Sequence, residues 1–302
     1  MLAIVADHFF FSALHKGAFF RYTDAMPELP EVETVMHGMM PALENATIQN
    51  VTINRFDLRG GIPRDFAERV TGAYVDKLER RGKYIIAHLN NDTSIILHLG
   101  MSGRIRIFPQ ATSYDAQKHD HVIFDTAAGA RIAFEDPRRF GMLYLAPRSA
   151  WDQAPPFSKM GSEPLDNHFH AQRLASALTS RKSPIKSALL DQNIVAGLGN
   201  IYVCEALYRA HISPLRLSNS LNAGEIDALT AAIKDVLRDA IAAGGSTLRD
   251  YQHTDGELGY FQHRFDVYGR KDEPCKTATC DATVQHCVQS GRSTFYCAQC
   301  QL

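Results

Sequence analysis

Met26-Pro27-Glu28-Leu29-Pro30-Glu31-Val32-Glu33 reads as the beginning of a protein, yet it lies 25 residues inside the chain. It marks where the patterned sequence starts. Pro30 suits the first turn of a helix. Val32, Val35, Met39 and Leu43 then recur at helical spacing, and Pro41 is expected to bend or end the run. The same stretch carries a chemical ambiguity. If the chain starts at Met26 and loses it, the Pro27 nitrogen is a free secondary amine beside the Glu28 carboxylate. If the chain starts at Met1, that nitrogen is a tertiary amide without a nucleophilic lone pair.

Downstream of this helix the texture changes to short strands, expected over 48–53, 84–89, 94–99, 104–108, 121–125, 130–134 and 142–145. Turn residues such as Asn90-Asn91-Asp92 and Ala128-Gly129 separate them, and their number and spacing predict a β-sandwich or barrel. Residues 147–167 are rich in Pro, Ser, Asp and Gly and read as a linker. Helical patterns follow over 168–180, 184–190, 203–210 and 223–243. The last opens with Asn222 three residues before Glu225, which is a capping-box start, and stops at Gly244-Gly245. The Cys-rich segment 266–302 reads as short of core residues.

Upstream, residues 1–25 hold two aromatic clusters, Phe9-Phe10-Phe11 and Phe19-Phe20. They lack the basic leader and continuous apolar stretch of a secretory signal. Asp7 and Asp24 balance Lys16 and Arg21, which argues against a transit peptide. These residues are expected to be upstream sequence read in frame, with a genuine extension as the alternative.

A chain of 302 residues with 45% hydrophobic and 22% charged residues can build two soluble domains. The net charge of −1 gives no global signature of nucleic-acid binding, so any such binding must come from local basic clusters. No run approaches the length of a membrane span.

Four of the six cysteines form the pattern Cys275-x4-Cys280-x16-Cys297-x2-Cys300. Two close pairs of thiolates suit one tetrahedral, closed, structural Zn²⁺. A segment this short needs the metal to supply folding energy. Cys287 falls between the pairs and is the poorer ligand; Cys204 is left over. Without a secretory signal the set argues for a reducing compartment.

Other motifs admit two readings each. Arg292, at a hairpin tip within that ribbon, suits a bidentate phosphate contact or a solvated turn. Gly197-Leu198-Gly199-Asn200 joins two helical patterns, and its glycines would let backbone N–H groups and an Asn approach a phosphate. Glu205, one helical turn on, would tie down that turn or stay on the surface. Asp136-Pro137-Arg138-Arg139-Phe140-Gly141 sets guanidinium groups beside an aromatic, as a tip that contacts phosphates and wedges into a base stack or as an exposed loop. Arg80-Arg81-Gly82-Lys83 and Arg181-Lys182 through Lys186 are basic clusters of the kind that are usually solvated. His119 and His121 would share a strand face, but no third ligand lies near, so polar recognition or structural hydrogen bonding is the expectation.

In this order along the chain, the opening Pro-Glu-Leu-Pro-Glu-Val-Glu, Arg81-Gly82-Lys83-Tyr84, His98-Leu99-Gly100-Met101-Ser102-Gly103, Lys118-His119-Asp120-His121, Asp136 to Gly141, the Gly-Asn turn, Gly245-Ser246-Thr247-Leu248 and the four-Cys ribbon resemble the formamidopyrimidine-DNA glycosylase family. These are bacterial base-excision enzymes for oxidised purines. The likeness runs from Met26 to the C-terminus. Leu29 and Val32 favour it over the sister endonuclease VIII family, which handles mainly oxidised pyrimidines.

The resemblance implies an α+β fold: a β-sandwich with a leading helix (26–147), a linker (148–167), a helical domain with a helix–two-turns–helix motif (168–265) and a zinc β-ribbon (266–302). Residues 1–25 are then expected to lie outside the mature enzyme. It implies a bifunctional DNA glycosylase and abasic-site lyase, with Pro27 as nucleophile, Glu28 as general acid, Lys83 as second proton donor or phosphate anchor, and Arg292 for δ-elimination and phosphate contact. His119, Arg138, Arg181 and Asn200 match DNA contacts, although Arg181 stands where relatives carry Lys. Met101, Arg138 and Phe140 match the trio that fills the hole left by a flipped base, and 246–262 would cover the damaged base. Cys275, Cys280, Cys297 and Cys300 would hold one structural Zn²⁺. The implied partner is double-stranded DNA with damaged bases or abasic sites, bound by a monomer in the bacterial cytoplasm at the nucleoid. The alternatives are an endonuclease VIII-like enzyme, or a non-catalytic zinc DNA-binding protein if Pro27 stays blocked.

Overall fold

The computed structural model describes residues 26–246 and 261–302; the segment 1–25 and most of the expected lesion-covering loop lie outside them. Helix α1 (Leu29–Leu43) opens the fold with Pro30 in its first turn. Pro41 does not end it. It falls in the last turn, so the lost N–H costs a single helical bond near a terminus that frays anyway.

Strands β1 (Ile48–Ile53), β2 (Val75–Arg81), β3 (Tyr84–Leu89), β4 (Thr93–His98), β5 (Arg104–Phe108), β6 (Asp120–Thr126), β7 (Arg131–Glu135) and β8 (Met142–Pro147) form two antiparallel four-stranded sheets, ordered β1-β6-β7-β5 and β2-β3-β4-β8. Side chains from both sheets join one core, including Val51, Phe124 and Phe134 from one and Leu78, Ile85 and Leu97 from the other. The expected sandwich is therefore present. Seven strands follow the sequence pattern, and β2 does not. A bulge between Val75 and Lys77 puts Val75 and Leu78 on the buried face three residues apart, which breaks the period-two signature. Helix α2 (Phe66–Val70) is also absent from the pattern, being one turn that buries Phe66 and Val70.

The segment after β8 is not a loose tether. Trp151 and Phe157 lie on the outer face of the second sheet, where Phe157 joins buried Ile86, Ile96 and Ala146. The Phe157 ring sits 5.1 Å from that of Tyr84 and 5.0 Å from that of Trp151.

The helical part contains α3 (Ala171–Leu178), α4 (Ile185–Leu189), α5 (Asn200–Arg209) and α6 (Ala223–Ala242). The capping box at α6 forms as expected: Glu225 N donates to Asn222 Oδ1 (3.0 Å) and Asn222 N to Glu225 Oε2 (2.8 Å). Helix α1 packs against β2, β3 and β5 on one side and α6 on the other, so the two halves share one core. No helix among the described residues is long and apolar enough to cross a membrane.

The C-terminal ribbon pairs β9 (Gln285–Gln289) with β10 (Arg292–Tyr296) through a two-residue turn, Ser290-Gly291, with φ of 50° and 74°. It is better packed than its composition suggests, for Val267, Val284 and Phe295 are buried and β10 lies on α5. Glu205 anchors it. This carboxylate is fully buried and accepts from the backbone N–H groups of Asp266 (2.8 Å), Val267 (3.0 Å) and Tyr268 (2.8 Å). It thus secures the chain leading into the ribbon, not its own turn and not the surface.

Candidate active site

The site is built around the N-terminus of α1. Pro27 is buried, and Leu29 N donates to Gly197 O (3.1 Å), pinning this end of the chain to the loop before α5. Glu28 caps α1, and its own N–H donates to Glu31 Oε2 (3.0 Å). Its carboxylate turns to a different helix: Oε1 accepts from Ile201 N (2.8 Å) and Oε2 from Tyr202 N (3.4 Å). Gly199 makes room for it, because a Cβ there would fall 2.3 Å from Glu28 Cδ. The glycines of this turn therefore serve the approach of Glu28 and Leu29. The N–H groups of Ile201 and Tyr202, which a phosphate reading would leave free, are taken by Glu28.

Burial pushes the Glu28 carboxyl up to about 7. Lys83 opposes that rise, Glu31 adds to it, and the two α5 N–H groups oppose it. The group is thus poised to carry a proton near neutrality. Glu31 is itself fully buried and accepts from Ser246 N and Ser246 Oγ (both 2.8 Å) and from Tyr202 OH (2.5 Å).

Lys83 lies in the β2–β3 turn and is almost wholly buried. Burial holds its ammonium below the usual lysine range; Glu28 works against this, and Arg292 adds to it. The turn is held from outside. Gly82 N donates to Glu163 Oε1 (2.5 Å), and Arg80 Nη1 donates to Gly82 O (2.9 Å). Arg292 is exposed at the start of β10, and the neighbouring Ser293 O accepts from Asn200 Nδ2 (2.9 Å). Glu28, Lys83 and Arg292 therefore come from three separate elements into one electrostatic neighbourhood.

Lys186 joins them. It belongs to a run expected to be solvated, yet it is fully buried, with Nζ donating to Ser293 O (2.7 Å) and Thr294 Oγ1 (2.8 Å). Its signal in the sequence is its place on the apolar face of α4, between Ile185 and Leu189. Glu31, Tyr202 and Ser246 likewise carry no assigned role in the sequence reading; Glu31 and Ser246 enter it only as letters of the opening and the Gly-Ser-Thr-Leu motifs.

Phe140 is 43% exposed, with the Arg138 guanidinium 5.2 Å over its ring, and half-buried Met101 lies in the neighbouring loop. His119 stands at the same corner, where its carbonyl accepts from Asp136 N (3.0 Å). His121 is buried and bonded through Nε2 to Asp136 O (2.8 Å), a structural role and not a ligand's. Arg181 is ion-paired with Asp191 (3.0 Å) and partly exposed. Asn200 Oδ1 is buried without a hydrogen-bond partner among the described residues.

The four cysteines converge. Their Sγ atoms all lie within 4.8 Å of one another, with Cys275–Cys300 at 3.7 Å and Cys280–Cys297 at 3.6 Å. A closed set of four soft donors fits a tetrahedral metal ion. Cys287 sits on β9 opposite Thr294, outside this set.

Comparison with known proteins agrees with this geometry. Residues 26–143 match the family model for the formamidopyrimidine-DNA glycosylase N-terminal domain, and 160–252 match that for the H2TH domain. The chain belongs to the formamidopyrimidine-DNA glycosylase family. A formamidopyrimidine-DNA glycosylase of Ruegeria pomeroyi is 54% identical over 282 residues, covering 91% of this chain and 100% of its own. One of Azorhizobium caulinodans is 50% identical over 292 residues with the same coverage. The crystal structure of the MutM (Fpg) protein from Thermus thermophilus superposes with a TM-score of 0.81 at 35% identity, covering 91% of this chain and 98% of that one. The complex of Lactococcus lactis Fpg with DNA containing an abasic site gives 0.81 at 33%, covering 91% and 99%.

Proposed function

We propose that this DNA glycosylase of base excision repair removes oxidised purines (8-oxoguanine and formamidopyrimidines) and nicks the resulting site, with Pro27 as its nucleophile. The observation that carries the reading is the setting of Pro27: a buried proline adjoining a carboxyl whose pKa is raised to about 7, with Lys83 within electrostatic reach of that carboxyl and Arg292 of Lys83. The solved relatives include complexes with DNA holding an abasic site or Fapy-dG.

The chemistry follows from these groups. The damaged base leaves the stack for a pocket. The Pro27 amine attacks C1′, and the glycosidic bond breaks with its electron pair passing to the base, which takes up the proton lost from the proline nitrogen. Glu28 donates its proton to O4′ as the sugar ring opens, leaving a C1′ iminium ion on the proline nitrogen. A secondary amine gives that cation without a further proton, and the cation acidifies C2′–H. Loss of that proton expels the 3′ phosphate, and a second elimination expels the 5′ phosphate. Lys83 and Arg292 lower the pKa of a nearby amine, which favours the neutral, attacking form. Arg292 also suits the departing phosphate as a bidentate partner.

His119, Arg138, Arg181 and Asn200 would hold the DNA backbone, and Met101, Arg138 and Phe140 would fill the space left by the flipped base. Cys275, Cys280, Cys297 and Cys300 would hold one structural Zn²⁺, which when bound stabilises the ribbon and takes no part in the reaction. The active form would begin at Pro27, in a compartment that keeps the thiolates reduced.

Borohydride trapping on duplex DNA with 8-oxoguanine tests this reading. A chain whose intact mass shows an N-terminal Pro27 should be trapped covalently, and Pro27→Gly should lose most of that yield. Equal trapping of a chain that still begins at Met1 would remove Pro27 as the nucleophile. Faster excision of thymine glycol than of 8-oxoguanine would remove the purine assignment.

A further inference from the structure

Met101 and the pair Arg138–Phe140 sit on two loops that are far apart in sequence, yet buried polar groups join them. Asp136 is fully buried, and its carboxylate serves both loops: Oδ1 accepts from Ser102 Oγ (2.6 Å) and Oδ2 from Gly141 N (2.7 Å). Ser102, also buried, uses its hydroxyl twice, donating to Asp136 and accepting from Arg138 N (3.1 Å). The backbones touch beside this pair. Gly100 has φ +68°, and a Cβ there would fall 2.4 Å from Phe140 C and 2.5 Å from Gly141 N. Gly100 N is held in turn by His98 Nδ1 (3.0 Å). The His98 imidazole stays neutral, its pKa pushed down to about 4 by burial and by Lys83 and Arg59, so Nδ1 remains an acceptor.

We propose that Ser102 and Asp136 are positioning residues that clasp the Met101 loop to the Arg138–Phe140 loop, so that the three side chains enter the base stack as one rigid wedge. This rests on the void-filling role given to that trio above. Two independent loops would each lose conformational entropy when inserting between bases. A clasp formed beforehand removes part of that cost and makes eversion of the damaged base and disturbance of its partner strand a single event. The Ser102 hydroxyl bridges the Asp136 carboxylate and Arg138 N, so its loss removes this polar clasp while leaving the strands that carry the loops.

The test uses the chain beginning at Pro27 with duplexes carrying 8-oxoguanine, and a fluorescent 2-aminopurine in the opposite strand to report unstacking. Ser102→Ala should slow single-turnover excision about tenfold or more and delay the fluorescence rise in parallel. Cleavage at a preformed abasic site, where no base has to be everted, should stay within about twofold. Ser102→Thr, which keeps the hydroxyl, should restore excision. Phe140→Ala is measured beside it as the check on the wedge itself. If Phe140→Ala loses excision while Ser102→Ala behaves as the parent, the wedge stands and the clasp is wrong. If Phe140→Ala excises and unstacks normally, the wedge reading fails and takes the clasp with it. If Ser102→Ala loses excision and abasic-site cleavage equally, the residue supports the fold alone and the proposal is overturned.

Discussion

The Glu28 carboxylate caps a helix that is not its own: Oε1 accepts from Ile201 N, 2.8 Å away at the first turn of α5, from a position 173 residues earlier in the chain. The contact welds the sandwich to the helical part at the candidate site. It depends on Gly199, whose missing Cβ is the space the carboxylate fills. Gly199→Ala should therefore expel Glu28 from this seat. The expected result is a loss of about 100-fold or more in single-turnover excision, in the range associated with removing a general acid. Zinc content should be unchanged, since the cysteines lie elsewhere. Single-turnover kinetics beside metal analysis check this.

The pH dependence follows from the signs of the shifts. As the proposed general acid Glu28 must be protonated to donate, and its carboxyl sits at about 7, so the rate should fall as pH rises through that value. The proposed Pro27 amine would have to be unprotonated to attack, which gives the opposite limb on the acidic side and a bell-shaped profile. Stability obeys the same shift. The folded carboxyl holds its proton up to about 7, whereas the unfolded one releases it near the ordinary 4.5, so the native state binds more protons between those values. Stability is therefore lost as pH rises across that window, by about 3 kcal/mol at roughly 1.4 kcal/mol per unit. Glu28→Gln cannot ionise and should escape this loss. It should be inactive yet melt higher than the parent at pH 8, with little difference at pH 4. Thermal melts at the two pH values decide it.

Lys83 opposes the rise of the Glu28 carboxyl, and this gives a test separate from its own proposed part in the reaction. Lys83→Met removes the cation that favours the ionised form, so the alkaline limb of the rate profile should move to higher pH by about one unit. The midpoint is the readout, because the rate at the optimum falls in any case when a proton donor or phosphate anchor is lost. An unchanged or lower midpoint would show that Lys83 does not govern the charge of Glu28.

How far the sequence revealed this site depended on how local each signal was. Helix α1, seven strands, the α6 capping box and the four-Cys set depend on spacing within a few turns or a hairpin, and all were legible. Strand β2 was hidden because its bulge shifts Val75 and Leu78 out of alternation. The Gly197–Asn200 turn was legible as a tight place before a helix, but its occupant was not, since Glu28 arrives from the other end of the chain. Lys186 and Glu205 illustrate the converse. A charged residue on an apolar helix face looks like a surface residue until the backbone groups that satisfy it, Ser293 O for one and the N–H groups of Asp266 to Tyr268 for the other, are brought in by the ribbon.

The ribbon gives the last prediction. Arg292 reaches the site because β10 is laid on α5, and two devices keep it there: the converging four-cysteine set, and the polar ties of Lys186 and Asn200 to Ser293 O. A small hairpin cannot hold its four thiolates together by burial alone, so metal binding and ribbon folding should be one process. Cys297 is the fully buried member of the set, and its N–H donates to Gln301 Oε1 (2.8 Å). Cys297→Ser should abolish stoichiometric zinc and lower duplex affinity by about tenfold or more. The sandwich and helices, which share a core with α1, should remain folded, so far-ultraviolet circular dichroism should lose little. Arg292→Ala should keep both zinc and folding, yet lose the second elimination and leave product ended by the first. Retained zinc in Cys297→Ser would break the four-thiolate assignment. Retained second elimination in Arg292→Ala would show that this guanidinium, whose charge is felt at Lys83, is not the group that assists the departing phosphate.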